Sequence, residues 1–482
     1  MKWGQHESLF SLWTTARDNR AYWLVLAFAL IVHILLAGFL PAAEDELYYW
    51  SWSKNPSLSY FDHPPMIAWW IFIATRLFGD SLLAVRLPGV FLHLFLFLWM
   101  MQASKNRIIL YFLLLTPLSI FGAVFMTPDI PLIFFWVLYL IWVIRLEELF
   151  SEKERPRLRT WAEGGLILGL GLLSKYTMAL APMVLGIFLV STRSIKKWGV
   201  GFLGHLLLAL VLFTPVIWFN IQHNYEPLLF QWNHTRIPVS PNFIFTYLAG
   251  QIALLGALPF LLTPWIAINF RELLSGYQTR VLTFFFLIPL VFFLFKSSHS
   301  YLEMNWGLVT YLSFWPLASH FYAQSRGPAR KLGFIGFAFT VPLLISLVLT
   351  IHLFSPIQFI KPHQDRLAKM SAYSSLFKAI SANAILPKDI PIYTPTYQWT
   401  SYFQFFGFRN TRQLKNVGRA SHFTLFPNDP CLNSQIIWFR IKNEPLPQDL
   451  SCFSKLRSLI ELPLILRENQ LAVWELVELS KL

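Results

Sequence analysis

Long apolar stretches separated by short polar segments, many of them basic, fill the first three quarters of the chain. The stretches fall at 22–40, 82–101, 108–126, 130–146, 162–174, 176–192, 198–219, 246–268, 281–296, 305–321 and 332–354. A hydrocarbon core roughly 30 Å thick is crossed by about 20 apolar residues in a helix. Only helices and closed barrels satisfy every backbone polar group in lipid. A barrel would show short alternating segments, and none are present. The pattern therefore predicts a polytopic α-helical membrane protein with eleven spans.

Three regions depart from simple alternation. The stretch 162–192 reads as a hairpin of two short arms with Ser174-Lys175-Tyr176 at its tip. One long helix would instead push either Arg155/Arg157/Arg159 or Arg193/Lys196/Lys197 to the opposite side, against the usual placement of basic loops. The segment 41–81 is too polar to cross. Its run Ile67-Ala68-Trp69-Trp70-Ile71-Phe72-Ile73 suits a helix lying at the membrane surface. Residues 220–245 form a second substantial polar loop. Beyond 355 charge rises, and Ile390-Pro391-Ile392-Tyr393, Ser434-Gln435-Ile436-Ile437-Trp438-Phe439 and Leu471-Ala472-Val473-Trp474 read as strands of a small α/β domain. The division expected is 1–354 for the transmembrane domain, with 41–81 as its site-bearing outer loop, and 355–482 for the C-terminal domain.

Composition agrees with this class. The chain of 482 residues is 55% hydrophobic and only 13% charged, about half the charge of a soluble protein. Its formal charge of +14 reads as topological rather than as a nucleic-acid footprint. With a cytoplasmic N-terminus, 18 Lys and Arg before residue 355 fall in cytoplasmic segments and five in outer loops. No cleavable signal peptide is apparent. By the same parity the C-terminal domain lies outside. Cys431 and Cys452 lack the spacing of a metal or redox motif. A disulfide between them in an oxidising compartment and two free core thiols are both open readings.

The outer loops collect the chemistry. Glu44, Asp45 and Glu46 follow directly on an apolar span, where charge loses hydration. Asp62 and His63 share their loop, and Asp129 sits in the turn Thr127-Pro128-Asp129. Lys175 tops the hairpin, and Arg236 lies on the next loop. A carboxylate can take a proton from an acceptor hydroxyl, cations can stabilise a departing phosphate, and aromatic rings suit sugar faces. Several of these residues have plainer readings. Asp45 and Asp129 can act as helix caps or dipole partners. Glu46 reads equally as a second functional carboxylate or as a cap partner. Lys175 can snorkel to headgroups, and Arg86 reads as an interface anchor or structural pair. There is no phosphate-binding GxxxxGKS loop, and Gly164-Gly165 with Gly169 and Gly171 suits helix packing.

Read in order, these residues resemble a known family. Asp45-Glu46 with Tyr49-Trp50, Tyr60-Phe61-Asp62-His63-Pro64-Pro65, Arg86-Leu87-Pro88, Thr127-Pro128-Asp129, Leu173-Ser174-Lys175-Tyr176, Pro215 to Asn220 with Gln222-His223, Asn305-Trp306, Tyr393 to Tyr397 and Gly418 to Phe423 are similar to the bacterial GT-C glycosyltransferases. The group in question is related to dolichyl-phosphate-mannose protein mannosyltransferase and to the aminoarabinose transferase that modifies lipid A. The resemblance implies a GT-C fold in the bacterial inner membrane, with a periplasmic C-terminal domain. It also implies sugar transfer from a polyprenyl-phosphate donor to lipid A, a surface saccharide or a protein at the outer face.

For single residues, the resemblance implies catalytic roles for Asp45 and Asp129, with Glu46 beside them. Lys175, Arg236 and His63 would hold the donor phosphate. Tyr49, Tyr60, Asp62, Tyr176, Asn305 and Trp306 would hold substrate. His63 stands where the aminoarabinose transferases carry lysine, and Asp62 where an acidic residue can hold a metal. A divalent ion at Asp62 is therefore the one cofactor in question. The expected mechanism is single displacement with inversion, Asp45 serving as base. A flippase for lipid-linked sugars is the rival reading. It would place ionisable residues in mid-span, whereas here they cluster at span ends and in loops.

Overall fold

The computed structural model describes residues 20–103, 108–234, 243–324, 328–357, 360–361, 364–382, 386–387, 389–426, 428–466 and 469–481. Its helices are α1 (Arg20–Phe39), α2 (Glu44–Lys54), α3 (Met66–Phe78), α4 (Leu82–Ala103), α5 (Ile108–Leu114), α6 (Asp129–Ser151), α7 (Leu158–Leu172), α8 (Leu180–Ser191), α9 (Ile195–Gln222), α10 (Glu226–His234), α11 (Phe243–Leu255), α12 (Leu258–Ile268), α13 (Phe270–Leu273), α14 (Tyr277–Ser297), α15 (Leu308–Gln324), α16 (Pro328–Phe354), α17 (Arg366–Ala382) and α18 (Tyr397–Phe405). Five strands follow: β1 (Ile392–Thr394), β2 (Thr411–Gln413), β3 (Gln435–Ile441), β4 (Lys455–Leu466) and β5 (Asn469–Ser480).

Among the described residues, five helices are long and apolar enough to cross a membrane: α4, α6, α9, α14 and α16. Two sharply bent pairs, α1 with α2 at 84° and α11 with α12 at 100°, bring the number to seven if each pair is one span. Four of the eleven expected spans form helices too short to count: α5 has 7 residues, α7 15, α8 12 and α15 17. The segment 108–126 stops as a regular helix at Leu114 and resumes as a π turn at Leu118–Gly122, with Pro117 between them. Proline removes a helix hydrogen bond and clashes with the preceding turn. The segment 246–268 bends at Gly256, whose φ of +93° is costly for other residues. A Cβ there would also come within 2.8 Å of the Ala338 carbonyl oxygen.

The chain divides into two compact units. The first takes the chain to Gly38 with Arg86–Pro215 and Trp232–Leu349; the second takes Phe39–Val85, Val216–Gln231 and Thr350–Leu482. The core of the first unit is built on Trp136, Tyr139, Phe188, Phe285 and Trp315. The segment 162–192 is a hairpin: α7 ends at Leu172, and the chain restarts at Tyr176 as a 3-10 turn leading into α8. The glycine run serves packing. Gly164 lies against Trp142, Gly165 against Leu208, Gly169 against Leu212 and Gly171 against Met178, so closely that a Cβ would overlap each neighbour. Arg86 is fully buried, donates to the Ala37 carbonyl at 3.0 Å and lies over the Phe125 ring. It is a structural tie.

The second unit carries a sheet of order β2-β1-β3-β5-β4. β1 runs parallel to β2 and β3, while β3–β5 and β4–β5 are antiparallel. All three strands read from the sequence are present, and β2 and β4 join them. Cys431 and Cys452 form a disulfide with Cα atoms 5.9 Å apart. Helices α17 and α18 bury Phe377, Trp399, Tyr402 and Phe403 against Phe439 of β3. Ala42 and Leu47 share that core, so the acidic stretch is packed with the C-terminal segment rather than hanging from it. The apolar run Ile67–Ile73 is helical and forms part of α3.

Candidate active site

The acidic run forms the first turn of α2, where carboxylates interact favourably with the helix dipole. Glu46, at the third helical position, is almost fully buried and accepts the Ala43 N–H at 3.1 Å through Oε2. Its carboxylate closes the helix start, the plainer of the two readings of that residue. The helix stops before Asn55-Pro56, as the conformational restriction ahead of proline favours.

Asp45 is different. Water reaches it, and its Oδ1 accepts the Tyr397 hydroxyl at 3.0 Å. Among the described residues no donor is bonded to Oδ2. Protein atoms wall the carboxyl closely enough that partial burial raises its pKa, against the opposing pull of the Tyr397 bond and Arg419. Solvent still reaches the group, so screening limits that shift.

Asp62 is 6% exposed. Oδ1 accepts from Arg419 Nη1 at 2.7 Å, and Oδ2 accepts the Tyr48 hydroxyl at 2.8 Å. Tyr48 in turn accepts the His422 backbone N–H at 2.7 Å. The Arg419 guanidinium stacks 4.2 Å from the Tyr397 ring centre and 5.3 Å from that of Phe230. Burial opposes the Arg419 charge, but Asp62 and Tyr397 more than offset this and its pKa rises. Burial, with His223 nearby, pushes His422 down to about 3, so its ring is neutral at ordinary pH. One continuous network thus links Asp45, Tyr397, Arg419, Asp62 and Tyr48.

The sequence places Arg419 here through its neighbour. Gly418 has φ +73°, and a Cβ on it would lie 2.5 Å from the Pro395 carbonyl oxygen. Only glycine lets the 418–419 backbone approach the 395–397 turn so closely, which sets Arg419 beside Tyr397.

A second polar cluster lies in the first unit. Asp129, the first residue of α6, accepts from Lys175 Nζ at 2.8 Å through Oδ1 and from Asn305 Nδ2 at 2.6 Å through Oδ2. Asp129 and Lys175 are both buried. Three expected site residues therefore meet, although Asp129, Lys175 and Asn305 come from three separate elements. Asp129 and Asn305 also line a mainly apolar cavity of about 280 Å³. Tyr176 follows Lys175 on the same turn, edge-on to Phe213. Trp306 follows Asn305 and packs against the helical core.

The other expected residues sit as follows. Tyr60 is fully buried and stacked on Trp52, and its hydroxyl donates toward the Trp52 and Asn55 carbonyls, so it braces the loop. The Tyr49 ring lies 6.1 Å from that of His63. Arg236 falls outside the described residues. Among the described residues, no group of three or more His, Cys, Asp or Glu could hold a metal. Both Asp62 carboxylate oxygens are engaged, one by a cation. The residues present do not fit a divalent ion at Asp62. Tyr397, Arg419 and Tyr48 carry no site assignment from the sequence. The segments 393–397 and 418–423 enter the family resemblance, but nothing local shows that Arg419 meets a residue 357 positions earlier.

The chain is similar to several known proteins. The family model described as dolichyl-phosphate-mannose-protein mannosyltransferase matches residues 62–219. The lipid A galacturonosyltransferase RgtD of Rhizobium johnstonii is 23% identical over 347 residues, covering 67% of this chain and 69% of that protein. ArnT from Cupriavidus metallidurans bound to undecaprenyl phosphate superposes with a TM-score of 0.66 at 14% identity, covering 95% of this chain and 98% of that one. Its apo state superposes at 0.64 with 15% identity, covering 96% and 99%. These two solved structures establish the fold. The molecule thus has an ArnT-like fold of apolar helices with a small C-terminal sheet domain.

Proposed function

We propose that this chain transfers a sugar from a polyprenyl-phosphate donor to a hydroxyl of a lipid A-type acceptor at the outer face of a bacterial inner membrane. The carrying observation is Asp45, a water-accessible carboxylate of raised pKa, held through one oxygen by Tyr397 while the other is open. In the transfer, Asp45 Oδ2 takes the proton of the acceptor hydroxyl as its oxygen bonds to the sugar C1. The bond from C1 to the phosphate oxygen breaks with inversion, and polyprenyl phosphate leaves with the electron pair. Arg419 is a charged donor two links from Asp45 and supplies positive potential for the charge that develops. Asp62 and Tyr48 fix its position. In the first unit, Asn305 and Asp129 line an apolar cavity and Lys175 is paired with Asp129 beside it, an arrangement suited to a phosphate on a polyprenyl tail.

The relatives support this choice of substrates, one being named for lipid A galacturonosyl transfer and one solved with undecaprenyl phosphate. A hexuronosyl donor is accordingly the first to test. The assay uses the purified full chain with an undecaprenyl-phosphate sugar and lipid A. Wild type yields glycosylated lipid A. The Asp45→Asn variant, folded and extracted normally, loses about 10²- to 10⁴-fold in rate. Normal transfer by that variant overturns the assignment of the base, and absence of transfer by wild type with any lipid-linked sugar overturns the function.

A further inference from the structure

Helix α17 carries a stripe that runs from the core of the second unit toward its acidic turn. Ile380, Phe377, Leu376 and Tyr373 pack with Ala42 and Leu47, which flank that turn. Stepping back by helical periods, the same stripe continues through Lys369 to Arg366. The apolar end thus fixes α17 against the 42–47 segment, and its first turn presents two cations beside the carboxylates of that segment. Arg366 is exposed and Lys369 half-buried. Among the described residues, neither side chain makes an ion pair or hydrogen bond. A structural counter-ion pair would close onto Glu44 or Asp45, as Lys175 closes onto Asp129. Here the charges stand within electrostatic reach but apart. Burial and Asp45 raise the Glu44 carboxyl, and Lys369 and Arg366 pull it back. Arg366 also acts on Asp45, more weakly than Tyr397 and Arg419 do. Two adjacent unpaired cations at the rim of an accessible base form a subsite for an anion.

We propose that Arg366 and Lys369 bind an oxyanion, a carboxylate or phosphate, carried on the transferred sugar or on the acceptor headgroup next to the reacting hydroxyl. This selects anionic over neutral substrates, and it rests on the transferase reading of Asp45. Bidentate donors on Arg366 and the point charge of Lys369 recognise the group without taking part in bond exchange, so the pair positions and selects substrate.

The test compares wild type, Arg366→Gln, Lys369→Gln and the double variant, all as full chains in detergent. Donors are undecaprenyl-phosphate galacturonic acid and its neutral galactose counterpart, and acceptors are lipid A with and without its 4′-phosphate. The expected result is a rise in KM of about tenfold or more for one anionic partner in the double variant. kcat changes little, and the neutral counterpart of that partner is unaffected. Which partner responds tells a donor carboxylate from an acceptor phosphate. A separate arm titrates galacturonic acid 1-phosphate into each protein by calorimetry, with an Arg366→Lys variant expected to bind between wild type and Arg366→Gln. If wild type transfers nothing yet binds this probe through the pair, the transferase reading fails and the subsite stands. If neither binding nor the preference for anionic over neutral substrates changes in the correctly folded double variant, the subsite is overturned.

Discussion

At the residue scale, the distinction between Asp45 and Glu46 decides the site. Both lie in one acidic run; the sequence favours Asp45 as base and leaves Glu46 open between function and capping. In the fold, Glu46 is buried and bonded to the Ala43 N–H, whereas Asp45 is open to water and bonded to a phenol. Their pH behaviour follows. Partial burial places the Asp45 pKa above its usual value near 3.9. A base works only when ionised, so activity is lost as pH falls through that raised pKa. The acid limb of kcat/KM therefore lies above the range of an ordinary aspartate. Stability responds in the opposite sense. The folded state holds this proton to higher pH than the unfolded chain does, so the contribution of Asp45 to stability declines as pH rises through the folded pKa. A pH–rate profile for wild type and Tyr397→Phe checks this. Loss of the Tyr397 hydroxyl, which favours the charged form, moves the acid limb further upward. A limb at or below ordinary aspartate pH would refute the assignment.

At the scale of elements, the hairpin α7–α8 and the start of α6 show what periodicity and charge can read. Basic clusters on both sides of 162–192 forced the hairpin, and the hairpin delivers Lys175 to Asp129. The residues were legible because each sits at a span end; their pairing was not, because sequence distance carries no register between helices. Arg419 was less legible still. Its meeting with Asp62 depends on a glycine turn and on a domain whose strands β2 and β4 escaped the pattern. β4 has exposed polar and apolar residues without clean alternation, and β2 has three residues. The Asp129–Lys175 pair gives a test of structure against chemistry. Removing one member leaves a buried charge, so Lys175→Met or Asp129→Asn costs about 3–5 kcal/mol of stability. The double variant recovers much of that loss in thermal unfolding. If the pair serves phosphate binding, donor KM stays raised in the double variant although stability returns. Recovery of both would reduce the pair to a structural tie.

At the scale of the whole molecule, the open matter is which side of the membrane holds the chemistry. Two independent features of the chain agree. Basic residues before 355 fall overwhelmingly in one set of alternate segments, which is the cytoplasmic set in membrane proteins generally. The disulfide between Cys431 and Cys452 belongs to an oxidising compartment, which in bacteria is the periplasm and not the cytosol. The first argument rests on charge in the helical part and the second on redox chemistry in the sheet domain, so an error in one does not carry to the other. The broken segments at 108–126 and 246–268 bear on the count of crossings, and any odd error in that count reverses the side assigned by alternation. The disulfide supports the outer side without counting. Alkaline phosphatase fused after Leu482 is therefore expected to be active, and green fluorescent protein at the same place dark. Fusions in the basic loop at Glu152–Glu154 should give the converse. Thiol-reactive polyethylene glycol should shift the wild-type chain only after reduction. A fluorescent C-terminal fusion with cysteines labelled before reduction would place Asp45 and its network in the cytosol, where the proposed outer-face transfer would fail.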